Sequence, residues 1–441
     1  MTKRPIRICA AMLAAVMMTA CSAPADQPIH TQPDDASGVT LEHILTELDS
    51  KLPDEAPQGE IGGVSTNVAS ANETRAMWFS YEDLSTALQS ADEATFRSKI
   101  ELMFYNCLNI GINTVIVHVR PFSDSFYPSM YFPWSKYVTG TIGTNPGYDP
   151  LALMVSGAKN AGLKIEAWVN PMRAMSMSEI AQVSTAYPIR QWYDDPKKAE
   201  QNLIMYSDRL YYNPASQEVR DIIAAGVTEI VTKYAVDAVH IDDYFYPSGL
   251  DYRYDAASYA AYQANGGLLT QDEWRRESVS MMVKSMYDAV KKVNPSVQFG
   301  VSPQGNPNTS YLDLWADVEK WVTQYGYLDY IAPQLYFGME HSTMPFETTA
   351  KLWSNLITAD HVQLRLGLAA YKIGTYDSYA GSAKYEWVTD NNVLATQLNA
   401  ARGINRCTGV IFFRYSSLFN PASTVQQAAG MEMYHLYSLM K

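Results

Sequence analysis

The segment VDAVHIDDYFYP (Val236–Pro247) ends in two adjacent carboxylates, Asp242 and Asp243, after an apolar run and before three aromatics and a proline. Like charges side by side repel, and burying either one unpaired is costly. Such a pair either solves a structural problem or faces a cleft where charge is used. In the first case one member caps the loop or pairs with Arg120 or Arg173. In the second, one carboxyl serves as nucleophile and its neighbour as acid/base or binding group.

Other chemically capable side chains recur at the ends of similar apolar runs. RAMWFSY (75–81) runs into Glu82 and Asp83. NTVIVHVR (113–120) carries His118 and Arg120 and leads to Asp124. LKIEAWVN (163–170) carries Glu166 and Trp168, ends at Asn170 and is followed by Arg173. DAVHID (237–242) holds His240, with Tyr244 just beyond. VQFGVS (297–302) precedes Gln304 and Asn306, and LDYIAPQLY (328–336) contains Gln334 and Tyr336. VQLRLGLAAY (362–371) ends near Lys372, and TGVIFFRYS (408–416) holds Arg414 and Tyr415. Two histidines and Asp242 on separate inward-facing strands are a conceivable metal site. The preferred reading makes His118 and His240 hydrogen-bonded core or sugar-contacting residues, with no metal or other cofactor. Glu166, facing inward, needs a cationic partner such as Arg120.

These eight runs are buried-strand candidates, because strands covered on both faces read as near-continuous apolar stretches. Helical patterns separate them at 94–109, 150–161, 216–234, 272–292, 311–324, 346–358 and 390–402, and one at 423–440 closes the chain. Ser216 is placed to cap the third, with Glu218 in its first turn. Eight strand–helix units with no Gly-rich phosphate loop after the first strand predict a closed (β/α)8 barrel, an α/β fold, over 73–441. Two long connections, 171–215 and 243–271, would lie on the C-terminal face, where such barrels build active sites.

A ring of Asp, Asn, Gln, Arg and Tyr at those strand ends suits a sugar: hydroxyls take polar partners, sugar faces take aromatics, and glycosidic cleavage takes carboxyls. Asp242 and Asp243 are the expected catalytic residues. By analogy with barrel glycosidases whose strand-four carboxylate is catalytic, Asp242 is the nucleophile candidate and Asp243 the acid/base or sugar-binding group. Arg120, Asn170, Arg173, His240, Tyr244, Gln304, Gln334, Tyr336 and Trp134 are the expected substrate contacts. Trp134 lies in the aromatic YFPWSKY loop, whereas Trp78 and Trp168 lie in strands and read as core. Arg120 and Arg173 can bind a carboxylate, such as the lactyl group of muramic acid, or orient the aspartates.

ETRAMWFSY, NTVIVHVRPFSDSFYPS, LKIEAWVNPMRA, VDAVHIDDYFYP, GVSPQGN and DYIAPQLYFG, in that order, resemble the bacterial glycosyl hydrolase-like family 10 proteins. The resemblance runs from about Glu73 to about Tyr415. It implies a TIM barrel, glycoside hydrolysis, frequent lipid anchoring and, for some members, cleavage of peptidoglycan strands lacking stem peptides. DAVHIDDYFYP also resembles the strand-four signature of family-18 chitinases, with His240 where an Asp would stand and no Glu at the acid position. That comparison implies substrate assistance, with Asp243 or Asp242 as acid and Tyr336 as polariser. A non-catalytic glycan-binding barrel and a metal-dependent deacetylase are the remaining alternatives.

The first 20 residues read as a signal: Lys3, Arg4 and Arg7, then the apolar ICAAMLAAVMM, too short to span a bilayer. MTAC, ending at Cys21, resembles a bacterial lipobox, which implies cleavage before Cys21, diacylglycerol on its thiol and export to a cell or outer membrane. Residues 21–72, rich in Pro, Asp, Ser and Ala, read as a flexible tether. Among 441 residues the net charge is −13 with no basic run after the leader, which argues against nucleic acid and leaves a polysaccharide and the membrane as partners. Cys107 and Cys407 have no metal spacing and can be free thiols or a pair.

Overall fold

The computed structural model describes residues 69–70 and 72–440. The leader, Cys21 and nearly all of the expected tether lie outside the described residues. Eight parallel strands close into a barrel: β1 (Thr74–Phe79), β2 (Thr114–Arg120), β3 (Lys164–Val169), β7 (Ala238–Ile241), β8 (Gln298–Val301), β9 (Tyr330–Ile331), β10 (Gln363–Ala369) and β11 (Cys407–Phe413). Each is followed by a helix, the main ones being Glu93–Asn109, Pro150–Asn160, Gln217–Lys233, Gln271–Val293, Phe346–Leu356, Val393–Ala401 and Gln426–Met440. This is the (β/α)8 barrel expected from the alternation of elements.

Several details depart from expectation. The helix expected over 311–324 is two short ones, Pro307–Asp313 and Val318–Thr323. The connection after β3 is not a simple loop. It folds into a three-stranded antiparallel sheet of β4 (Arg173–Ser176), β5 (Leu203–Tyr206) and β6 (Arg209–Tyr212), in the order β4-β6-β5. Ser216 stands at the start of Gln217–Lys233 but caps nothing, because its hydroxyl donates to Asn202 Oδ1 at 2.6 Å. Cys107 and Cys407 are both free.

The expected strand over 328–336 shrinks to Tyr330–Ile331, and proline explains why. Pro333 has no N–H to donate to a ladder, and Pro303 stands in the same situation beyond β8. Past the prolines the chains meet again in isolated bridges, Gln304 with Gln334 and Gln334 with Gly367. The interruption therefore delivers two glutamine side chains to the barrel mouth.

Inside the barrel, alternation places Ala238 and His240 from β7, Glu166 and Trp168 from β3, Trp78 from β1 and Tyr330 from β9 on the inner face. The interior is partly polar, and a hydrogen-bonded chain crosses it. Trp78 Nε1 donates to His240 Nε2 at 3.1 Å, and His240 Nδ1 lies 2.9 Å from the Tyr330 hydroxyl. Tyr330 donates to Glu166 Oε2, whose Oε1 accepts from Arg365 Nη1 at 2.7 Å. Arg365 also reaches Gln298 and lies 3.7 Å over the Tyr330 ring. Thus Glu166 is paired, but with Arg365 of β10 and not with Arg120. Gly300 makes the crossing possible: a Cβ there would stand 1.9 Å from the Tyr330 ring.

Candidate active site

Asp242 continues the inward alternation of β7 one residue past its last ladder position, and the chain turns at Asp243. Asp242 is buried, at 3% exposure, while Asp243 is partly exposed and Tyr244 is exposed. Their partners differ. Asp242 Oδ2 accepts from Trp168 Nε1 at 2.9 Å and more weakly from Asn170 Nδ2 at 3.5 Å, and Oδ1 accepts from the Tyr244 backbone N–H at 3.2 Å. Asp243 is held by amides: Gln334 Nε2 donates to Oδ1 at 2.9 Å, and Gln304 Nε2 donates to Oδ2.

Burial pushes both carboxyls above the usual carboxylate range. Asp242 is raised to about 7, by desolvation first and the charge of Asp243 second, against the pull of its Trp168 and Tyr244 hydrogen bonds and of Arg173. Asp243 is raised by desolvation, with the two glutamines and Arg173 opposing. The pair therefore binds a proton in a pH range where an ordinary Asp has lost it.

Arg173 lies 4.5 Å over the Tyr244 ring and 4.9 Å over Phe122. Its backbone N–H is fixed by Asn170 Oδ1 at 2.8 Å, so Asn170 ties the end of β3 both to β4 and to Asp242. Tyr336 packs against Phe413 and Tyr371 at centroid distances of 5.7 and 5.6 Å, and burial lifts its hydroxyl well above the ordinary tyrosine range. The charges of Asp243 and Asp242 act on that hydroxyl in the same direction.

His240 lies one layer below. Because Trp78 donates to Nε2, that nitrogen is unprotonated, so Nδ1 carries the hydrogen and donates to Tyr330. Burial and Arg365 lower its pKa to about 3. It is a neutral strut under the site and does not contact the cleft. His118 stacks on Trp168 with centroids 3.6 Å apart and planes 7° apart, and both ring nitrogens are buried without a partner among the described residues. Desolvation keeps it neutral too.

Besides His240, two further expected contacts are not brought to the aspartates. Arg120 points outward from β2 into the layer beneath helix Gln217–Lys233, 4.4 Å over Phe132 and against Gly226, whose missing side chain leaves the room. The cause is a register shift between His118 and Arg120 that turns the last residue of β2 out of the alternation. Trp134 is buried in the main core, bridged through its backbone to Ser125. Asn170, Arg173, Tyr244, Gln304, Gln334 and Tyr336 do surround the pair.

Trp168 is buried in the barrel interior, as its place in a strand led us to expect, but it also donates to Asp242, a contact the sequence reading did not foresee. The available signal was its parity with Glu166 and Asn170, which puts its ring on the inner face one step below the mouth. The second long connection is anchored away from the pair. Arg275, fully buried, binds both oxygens of Asp255 at 2.8 and 2.7 Å and the carbonyl of Leu250 at 2.7 Å.

The family model described as glycosyl hydrolase-like 10 matches residues 73–385. The chain belongs to that family. It is 33% identical over 396 residues to the glycosyl hydrolase YngK of Bacillus subtilis strain 168, covering 83% of this chain and 73% of that protein. It is 32% identical over 345 residues to the glycosyl hydrolase DigH of Escherichia coli K12, covering 73% and 75%. Among solved structures, the PgaB (BpsB) glycoside hydrolase domain from Bordetella bronchiseptica superposes with a TM-score of 0.54 at 11% identity, over 84% of this chain and 99% of that one, a likeness of fold. As a member of glycosyl hydrolase-like 10, the protein is a glycoside hydrolase, and its substrate is a polysaccharide.

Proposed function

We propose that this enzyme cleaves glycosidic bonds in a cell-envelope polysaccharide, first of all peptidoglycan glycan strands, from a lipid anchor at Cys21, with Asp242 and Asp243 as its catalytic carboxyls. The observation that carries the catalytic reading is the asymmetry of the pair. Two neighbouring carboxyls share one mouth, both raised by burial, one held by an indole and a backbone N–H, the other by two amides.

Asp243, with two amide donors and greater exposure, ionises first. Its charge then helps to keep the proton on Asp242 to about pH 7. Asp242 delivers that proton to the leaving glycosidic oxygen as the C–O bond breaks. The Asp243 carboxylate faces the positive charge developing at the anomeric carbon, and water then adds to that carbon, its released proton going to the Asp242 carboxylate and restoring the acid. This reverses the division of labour expected from the strand-four analogy, in which Asp242 is the nucleophile. Gln304, Gln334 and Asn170 hold the carboxyls at a fixed orientation before substrate arrives.

The experiment is a reducing-end assay on peptidoglycan, intact and stripped of stem peptides, with wild type, Asp242→Asn and Asp243→Asn. Release by wild type alone supports the assignment. Release by either variant at the wild-type rate removes that residue from the chemistry, and no release by wild type removes the substrate. For the anchor, wild type should fractionate with membranes and Cys21→Ala should not.

A further inference from the structure

Arg120, which takes no part in the catalytic pair, is the last residue of β2 and is only 1% exposed. Its guanidinium lies over Phe132 beneath the helix Gln217–Lys233, and both terminal nitrogens are buried with no hydrogen-bond partner among the described residues. Two phenols share that condition. The hydroxyls of Tyr127, in the connection after β2, and of Tyr212, the last residue of β6, are equally buried and equally unpartnered. Desolvation aside, these two phenols act most strongly on the charge of Arg120, and it acts on both of theirs. Arg120 approaches Tyr127, and the phenols approach Ser129 and Ser123, but none of these approaches has hydrogen-bond geometry.

A guanidinium keeps its charge at any ordinary pH, and a buried charge without a counter-ion is costly. Arg275 and Arg365, buried to a similar degree, each hold a carboxylate, Asp255 and Glu166. The carboxylate that acts on Arg120 is Glu229, and it is already taken. Its Oε1 accepts from Lys233 and from the Met130 N–H at 3.0 Å each, and its Oε2 accepts from the Ser129 hydroxyl at 2.6 Å. Lys233 and Arg120 together outnumber Glu229 by one positive charge. A buried water can bridge such donors but cannot balance that charge.

We propose that Arg120, Tyr127 and Tyr212 bind a buried monovalent anion, chloride in ordinary media. A guanidinium fork and two hydroxyls supply charge and donors together, and a spherical ion accepts from all of them without directional demand. Burial of all four polar atoms selects a small ion. The three residues come from β2, the connection after it and β6, so the anion pins the small antiparallel sheet to the barrel wall. It also steadies the active site from behind, because the Arg120 carbonyl accepts the Asn170 N–H at 2.8 Å and Asn170 reaches Asp242.

Crystals grown with bromide in place of chloride test the site directly. The expected result is an anomalous peak at the bromine edge within hydrogen-bond reach of the Arg120 guanidinium and the two hydroxyls. Density there without an anomalous signal, an ordered water only, overturns the proposal. In solution, the urea midpoint at fixed ionic strength should rise saturably as sodium gluconate is exchanged for sodium chloride. Gluconate is too large for the site and controls for screening, so equal midpoints in the two salts also overturn the proposal. Tyr212→Phe keeps the ring and removes one donor. It should raise the chloride concentration at half-effect by about tenfold to a hundredfold, the worth of one hydrogen bond to a charged group. Arg120→Met should abolish the chloride response. If that variant does not fold, Tyr212→Phe decides, and an unchanged half-effect concentration refutes the assignment.

Discussion

Replacing Asp242 by Asn should stabilise the fold above neutral pH, and the size follows from its surroundings. The folded-state pKa is about 7 against an ordinary value of 3.8. Between those two values the folded chain holds a proton that the unfolded chain has released, so stability falls as pH rises through the window and is level above it. The full shift corresponds to a ceiling of about 4 kcal/mol at 1.36 kcal/mol per unit. Asparagine avoids that cost but introduces another. Both oxygens of Asp242 accept N–H bonds, from Trp168 and Tyr244, and the amide NH2 can replace only one acceptor. The donor left facing it costs about 1–3 kcal/mol. The absolute gain at pH 8 is therefore about 1–3 kcal/mol.

The double difference is cleaner, because the amide penalty is independent of pH and cancels. From pH 5 to pH 8 the advantage of the variant should grow by about 3 kcal/mol, two units of the window. Urea unfolding of both proteins at the two pH values measures it. An advantage that is constant with pH, or that shrinks as pH rises, would refute the raised pKa and with it the role of Asp242 as acid.

Two further perturbations separate chemistry from architecture. Trp168→Phe removes the indole donor that opposes the rise of the Asp242 pKa. The alkaline limb of kcat/KM against pH should move up by about one to two units, the worth of a hydrogen bond to a charged group, and a limb that stays or moves down contradicts the contact. Arg365→Met leaves Glu166 buried opposite Tyr330 without its cation. The expected loss of stability is about 3–5 kcal/mol, checked by thermal or urea unfolding, and an unchanged stability would show that the interior chain is not one network.

The fold was legible because a (β/α)8 barrel writes itself in periodicity. Strands buried on both faces are apolar runs, their helices alternate with them, and all eight runs became barrel strands. Much of the mouth was legible for a related reason: side chains just past a barrel strand have nowhere to go but the C-terminal face. Asp242, Asp243, Asn170, Gln304 and Gln334 follow that rule.

What the sequence could not decide is whatever depends on residues far apart in the chain. Arg120 looked equivalent to Asn170, but a one-residue register shift in β2 sent it outward, and such a shift flips a side chain to the opposite face. Glu166 needed a cation, and only barrel closure put Arg365, 199 positions away, within 2.7 Å of it. Arg209 lay within the long 171–215 connection, and an antiparallel sheet carried it to Phe122. The type of each strand-end residue is local information. The proton affinity of Asp242 is not, because it is set by burial under one strand's indole and by the charge that the next residue turns toward the cleft.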